Sequence, residues 1–355
     1  MSKFNRRNII KMLSGAPLGA SLGVSLSACS PDSREKLNFY TWDTYIGENT
    51  IDDFEALTSA RVNMSYFANN DELFAKMRMG NPGYDLIVPS NDLVERLREA
   101  ELLDEIDHSK LPNLGNISPD FLDTSFDPGN KFSVPYTWGV TGVGYRKSRV
   151  DGVPDSWKWL YESDRYKGKI GLVGEASELF QLGMKYLGKP LNNTDRADIE
   201  HITEMLMAQK PNIAMFHDDN GQDALLAGDV DIVMEYNGDI AQIMEEDDDI
   251  GFVVPKEGSV VASDGFSIPK GAPNPDLAHA FINFVLDAEN GAHIAETILY
   301  PTPNVEAMKL MPPSYSENPA VFPPSEVLST CEYATDPGIE VNQIFDEAFS
   351  RIRSA

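Results

Sequence analysis

Cysteine is nearly missing from this chain of 355 residues, with Cys29 and Cys331 the only two. No disulfide framework is available, so stability must come from packing, which a chain of this length can supply with more than one core. Cations are scarce too, at 29 Lys and Arg against 56 Asp and Glu, a formal net charge of −27. That balance repels nucleic acid and anionic lipid and is compatible with positively charged ligands, or equally with a solubility trait of a marine or salt-adapted organism. No apolar run is long and uninterrupted enough to span a bilayer. The histidines His108, His201, His217, His279 and His293 show no HxxxH or HxH spacing. A P-loop, a nucleophile elbow and a Cys–His pair are all missing, and the glycines around Gly139–Gly144 lack the strand–GxGxxG–helix context of a nucleotide fingerprint. Nothing in the sequence argues for catalysis, and no cofactor is expected.

What is present begins with a leader. Lys3, Arg6, Arg7 and Lys11 form a basic stretch, a modestly apolar run extends from Met12 to Leu26, and the end reads Leu26-Ser27-Ala28-Cys29. Residues 1–28 are read as an export signal with a lipoprotein-type cleavage site, Cys29 being the acylated first residue of the mature chain. Arg6-Arg7 also matches a twin-arginine signal, against the alternative of an ordinary secretory one. Removing the four leader cations leaves 25 Lys and Arg against 56 acids, near −31. Residues 29–36 then form a tether.

From there strands and helices alternate. Leu37–Thr41, Arg61–Phe67 and Tyr84–Ser90 read as strands, with helices from about Asn49, from Asn70 and from Leu93 between and after them. This β-α-β-α-β-α order implies a parallel sheet with crossover helices. Pro135–Tyr145 reads as an extended, turn-punctuated crossing, and a second α/β unit follows from Lys169, with strands at Asn212–His217, Asp229–Glu235 and Ile250–Pro255. Trp157 and Trp159 are assigned to packing and surface, and the acidic run Glu245–Asp249 to a solvated turn. Gly265–Pro269 reads as the return crossing, Asp276–Leu286 as a helix, and Val341, Ile344, Phe345, Phe349 and Ile352 as one face of a closing helix.

In an open α/β sheet the ligand crevice lies past the carboxyl ends of the strands. The residues at those ends here are Trp42, Asp43, Tyr45, Ser90, Asp92, Glu175, Glu178, Tyr236, Asp239, Asp264 and Tyr300. They are carboxylates, rings and a hydroxyl, without Arg or Lys. An anionic ligand would need a cationic clamp or exposed helix N-termini. Rings plus carboxylates suit an organic cation instead. Glu175 and Glu178, three apart, would share one face of a helical turn and meet one ammonium, or equally serve as acids at a helix start. A hydrolytic carboxylate pair is a weaker alternative. A metal site at His217, Asp218 and Asp219 competes with plain turn chemistry, which accounts for the same residues.

The chain resembles the bacterial spermidine/putrescine-binding proteins, the extracytoplasmic receptors of polyamine ABC importers. The resemblance covers essentially all of the mature chain. It rests on Phe39-Tyr40-Thr41-Trp42-Asp43-Thr44-Tyr45, Tyr84-Asp85-Leu86-Ile87-Val88-Pro89-Ser90, Val134-Pro135-Tyr136-Thr137-Trp138-Gly139, Pro255-Lys256-Glu257-Gly258 and Ala295-Glu296-Thr297-Ile298-Leu299-Tyr300-Pro301-Thr302-Pro303-Asn304. It implies a two-lobe periplasmic binding protein fold of type II, each lobe a mostly parallel sheet flanked by helices with the cleft between. The expected limits are 37–138 plus 263–310 for lobe 1, and 139–262 plus 311–355 for lobe 2. It also implies a polyamine ligand, a membrane permease as partner, a monomeric receptor and a periplasmic site of action.

Residue by residue, the resemblance implies ring contacts from Trp42, Tyr45, Tyr236 and Tyr300. Glu175, Glu178, Asp239 and Asp264 become amine-binding carboxylates, and Asp43, Ser90 and Asp92 polar contacts. Tyr236 stands where the family usually has Trp, and Glu175 where Asp is common. Ala262 and Ala334 replace an aromatic and a polar contact, which implies a wider pocket, with Tyr333 and Phe266 the nearby rings available to substitute.

Overall fold

Leu37, Phe39 and Tyr40 are all fully buried, as a strand in the middle of a parallel sheet must be. In the computed structural model, which describes residues 33–355, this strand is β1 (Lys36–Thr41). It lies between β2 (Arg61–Tyr66) and β3 (Leu86–Ile87), parallel to both. Helices Thr50–Thr58 and Asn70–Arg78 make the crossovers. The expected strand over Tyr84–Ser90 pairs with β1 only at its centre. Asp85 takes the Asn38 backbone N–H with its side chain (2.7 Å), and Pro89 has no N–H to donate.

The remaining strands are β4 (Leu103–Asp104), β5 (Val134–Arg146), β6 (Ile170–Val173), β7 (Ile213–His217), β8 (Ile232–Tyr236), β9 (Ile250–Val253), β10 (Val260–Phe266), β11 (Ile268–Pro269) and β12 (Glu332–Tyr333). All but β4 and β11 join one mixed sheet in the order β12-β10-β5-β8-β6-β7, with β9 also on β5. β6 is parallel to β7 and β8, whereas β5 is antiparallel to β8, β9 and β10.

The crossing segment, expected to be broken by turns, is one unbroken strand of 13 residues. Its glycines serve close packing: a Cβ on Gly142 would lie 2.4 Å from the Phe252 ring, and one on Gly144 2.5 Å from Ile240. Pro135 falls beside the register shift between Asp264 and Gly265, where a missing ladder N–H is tolerated.

Two large cores result. One gathers Phe39, Phe54, Val134, Tyr136, Phe266 and Phe281. The other gathers Val143, Trp157, Leu172, Phe180, Met234 and Phe345, so the closing helix (Ile339–Ser354) belongs to it. Trp157 is fully enclosed there and donates to the Gly258 carbonyl (2.8 Å), while Trp159 lies beside Tyr166.

The acidic run Glu245–Asp249 is more than a solvated turn. Arg146, at the end of β5, binds Asp247 (3.1 Å) and Asp249 (3.3 Å), and Ser148 donates to Asp249 (2.7 Å). Helices Arg196–Gln209 and Ala288–Ile298 add to the expected set, each capped by an aspartate, Asp195 and Asp287. Among the described residues, no helix is long and apolar enough to cross a membrane. The leader and Cys29 lie outside the described residues.

Candidate functional site

The strand ends converge as the sheet order requires. Trp42, Asp43 and Tyr45 follow β1, Ser90 and Asp92 follow β3, Glu175 and Glu178 follow β6, Tyr236 and Asp239 close β8, and Asp264 sits within β10. All of these, with Tyr300, line one cleft of about 800 Å³. Asn70, Asn91, Thr141, Gln181 and Asp219 line it as well, together with Ala262 and Ala334. No Lys or Arg is among its lining residues.

The carboxylates are held by hydroxyls. Tyr45 donates to Asp264 (2.5 Å) and also bonds Thr137. Tyr300 donates to Asp239 (2.7 Å), and Tyr236 to Glu178 (2.8 Å), which accepts a second bond from Thr141. Ser90 donates to Asp92 (2.7 Å), and Ser177 to Glu175 (3.3 Å). Each bond fixes an oxygen and leaves the remaining lone pairs for a donor in the cleft. Trp42 is set by its indole bond to the Val88 carbonyl (2.9 Å) and by Phe67 against its ring at 4.4 Å. Tyr45 meets Tyr300 edge-on at 5.0 Å, a perpendicular wall.

Three helices start at the rim: Asn91–Glu99, Ala176–Tyr186 and Asn237–Glu246. Asp92, Glu178 and Asp239 occupy their first turns, where the positive end of the helix dipole favours a carboxylate. Glu175 stands at an N-cap yet makes no side-chain cap bond. The helix-start and cleft roles of this pair therefore coexist.

Crowded acids with no cation among them hold protons more tightly. Burial, followed by the charges of Asp92 and Asp239, pushes Asp264 up to about 7. Burial raises Asp239 to about 6, and burial with the neighbouring Asp239 and Asp43 raises Asp219 to about 9. Glu175 is raised well above the carboxylate range by burial and then by Asp92 and Glu178. An ammonium entering such a site favours the ionised carboxylates and draws their protons off.

Asp219 was assigned to a turn by sequence. It reaches the cleft because β7 ends beside β6, a register invisible in the turn itself. His217 points the other way, buried with Nε2 on the Met234 carbonyl (2.9 Å). Among the described residues, no group of three or more His, Cys, Asp or Glu is placed to hold a metal ion. Tyr333 and Phe266 do not line the cleft: Tyr333 faces solvent and Phe266 is fully buried against Tyr136 at 4.4 Å.

A two-lobe frame with an acidic, ring-walled crevice matches one family. Residues 49–323 fit the model of the bacterial extracellular solute-binding proteins. The spermidine/putrescine-binding periplasmic protein of Escherichia coli K12 is 34% identical over 94% of this chain and 96% of its own length. The chain belongs to this family of polyamine-group solute-binding proteins.

Among solved structures, a putative spermidine/putrescine ABC transporter protein from Listeria monocytogenes superposes with a TM-score of 0.85 at 33% identity, covering 90% of this chain and 99% of that one. A lipoprotein of Treponema pallidum superposes at 0.79 with 27% identity, covering 90% and 100%. Solute-binding proteins of this kind act outside the cytoplasm, and their work is capture and delivery.

Proposed function

We propose that this chain is the receptor of an ABC importer, capturing a linear polyamine of the putrescine or spermidine type and handing it to a membrane permease. The observation that carries the reading is the cation-free cleft in which Asp264, Asp239, Glu178, Glu175 and Asp92 each keep free lone pairs beside Trp42 and Tyr236. The carboxylates take the terminal ammoniums and the rings cover the methylenes between them. Tyr45 and Tyr300 act as floor and as orienting donors, and the exposed Asp43 and the Ser90 hydroxyl guide the ligand at the rim. The protein works by binding, without turnover, as a monomer.

Closure follows from the crossing strands. Gly139 of β5 stands opposite Ala262 of β10, and on either side of that pair the two strands pass from one core to the other. We place the lobe limits there, as 37–138 with 263–310 and 139–262 with 311–355. Bending at this point brings Asp264 and Tyr45 toward Glu178 and Tyr236.

A micromolar affinity needs about −8 kcal/mol, and cation–π contacts of about 0.5–2 kcal/mol each with paired charges reach it after ordering costs. A calorimetric panel of putrescine, cadaverine, spermidine, spermine and agmatine tests the assignment. Micromolar or tighter binding of at least one amine is expected. Indifference to all five, or iron uptake with a visible charge-transfer band, would overturn it.

Anchoring is the second part. The sequence Leu26-Ser27-Ala28-Cys29 and the lipoprotein character of the Treponema pallidum relative support a receptor tethered by acylated Cys29. Detergent-phase partitioning should vanish in Cys29→Ser while amine affinity stays unchanged. Partitioning that persists in the variant contradicts lipidation.

A further inference from the structure

Asn91 opens the helix Asn91–Glu99 and lines the cleft, yet only 1% of its surface is exposed. Both ends of its side-chain amide are used. Oδ1 accepts the backbone N–H of Ser263 in β10 (3.1 Å), and Nδ2 donates to the Ala334 backbone carbonyl (2.8 Å). Those two partners are the ones a sheet would otherwise join to each other. β10 and β12 run parallel, with Val260 opposite Glu332 and Val261 opposite Tyr333, and the Glu332 N–H reaches the Ser259 carbonyl (2.9 Å). Bonds in a parallel ladder recur evenly. The next rung past Tyr333 therefore joins the Ser263 N–H to the Ala334 carbonyl, and the Asn91 amide is inserted in that rung.

The inserted group comes from the other core. Leu93 and Leu97 of its helix pack with Tyr40 and Phe67, whereas Ala334 packs against the cluster of Trp157, Leu172 and Phe180. The chain leading into Asn91 is fastened to β10: the Ile87 N–H bonds the Ser267 carbonyl (2.9 Å), and the Gly265 N–H bonds the Pro89 carbonyl (3.1 Å). Together with the Ser263 bond these anchors aim Nδ2 at Ala334. When the lobes part, the bond to the Ala334 carbonyl is the one that has to break. One turn further along the helix, Glu95 faces the Asp336 backbone N–H and continues the contact along the same stretch of chain.

We infer that Asn91 is a positioning residue that clasps the two lobes over the bound ligand and so sets how long the ligand is held. The inference rests on the receptor reading and the lobe limits proposed above, and deepens them. A donor already held in place loses little freedom when the lobes close, so more of its bond energy goes into closure. Donor and acceptor are both neutral, so the clasp is indifferent to salt, in contrast to the carboxylate–ammonium contacts around it.

The test is stopped-flow kinetics of putrescine and spermidine, followed by intrinsic tryptophan fluorescence, in wild type, Asn91→Leu and Asn91→Ser. Leu keeps the branching and bulk of Asn and removes both hydrogen-bonding ends. Ser suits a helix start and is too short to reach both partners, so it carries the test if Asn91→Leu does not fold. Dissociation should be faster by about three- to tenfold, the scale of one neutral hydrogen bond lost with its acceptor left unpaired. The factor should be the same for both amines and the same at about 0.1 M and about 1 M salt, with association unchanged. A loss confined to one amine, or one that disappears in high salt, makes Asn91 a ligand contact and overturns the clasp. Unchanged dissociation overturns it as well and leaves the cleft reading standing. A wild type that binds neither amine overturns the receptor reading and the clasp with it.

Discussion

Asp264 illustrates how one residue couples binding, proton and fold. With an ordinary carboxyl near 3.8 in the unfolded chain and about 7 in the folded one, the folded state holds the proton more tightly. Between those values the folded protein binds more protons than the unfolded, so stability falls as pH rises from about 4 to 7. A bound ammonium removes the penalty by favouring the ionised form. The increase in melting temperature given by spermidine should therefore be larger at pH 8 than at pH 5.5, and titrations in buffers of different ionisation enthalpy should show proton release near pH 7. A melting shift independent of pH would contradict this. By the same logic Asp264→Asn should melt higher than wild type without ligand at pH 8, because it removes a charge that the empty cleft disfavours.

The cleft was legible at this scale wherever chemistry followed directly from a strand end. All eleven residues read from the sequence line it. Asn70, Asp219 and Gln181 were not legible. Asn70 and Asp219 look like helix-start and turn residues, and only the lateral order of strands brings them inward. The tyrosines were read as flat surfaces, yet their hydroxyls aim the carboxylates, a role that depends on distances of 2.5–2.8 Å that no spacing encodes.

Among elements, β5 and the helix Asn237–Glu246 fit tightly around the Tyr300 ring. A Cβ on Gly238 would lie 2.1 Å from the Tyr300 ring, and one on Gly139 3.2 Å from it, so the ring occupies space that two glycines vacate. Gly238→Ala should push Tyr300 aside, break its bond to Asp239 and weaken amine binding at least tenfold. Its stability cost should be about 1–3 kcal/mol, the usual scale for overpacking. Calorimetry and thermal melting read both; unchanged affinity would mean that the Tyr300 position does not matter.

The β-α alternation of the first lobe could be read from apolar periodicity, because each crossover there is short. The unbroken 13-residue β5 could not, since glycines that signal turns in isolation serve here as landing sites for Phe252 and Ile240. Helix Arg196–Gln209 carried its own signal, Asp195 as cap with Ile199, Ile202 and Leu206 inward. Its many polar residues mask that stripe.

For the molecule as a whole, the two cores meet along β5 and β10, and the cleft lies where the strands cross between them. Ligand-driven closure should reduce the radius of gyration measured by small-angle scattering when saturating spermidine is added. An unchanged curve would argue for a preformed, rigid cleft. The formal net charge of −27 steers cations from a distance, so association should slow as salt approaches and exceeds 0.15 M, where screening acts within about 8 Å.

The most direct test of the central claim is calorimetric titration of spermidine into the wild type and into Asp264→Asn. Micromolar or tighter binding in the wild type, weakened by about 2–5 kcal/mol when one buried partner of a charge pair is removed, is the predicted result. Equal affinity in both proteins would contradict it, because the carboxylate held by Tyr45 would then have no part in recognising the amine.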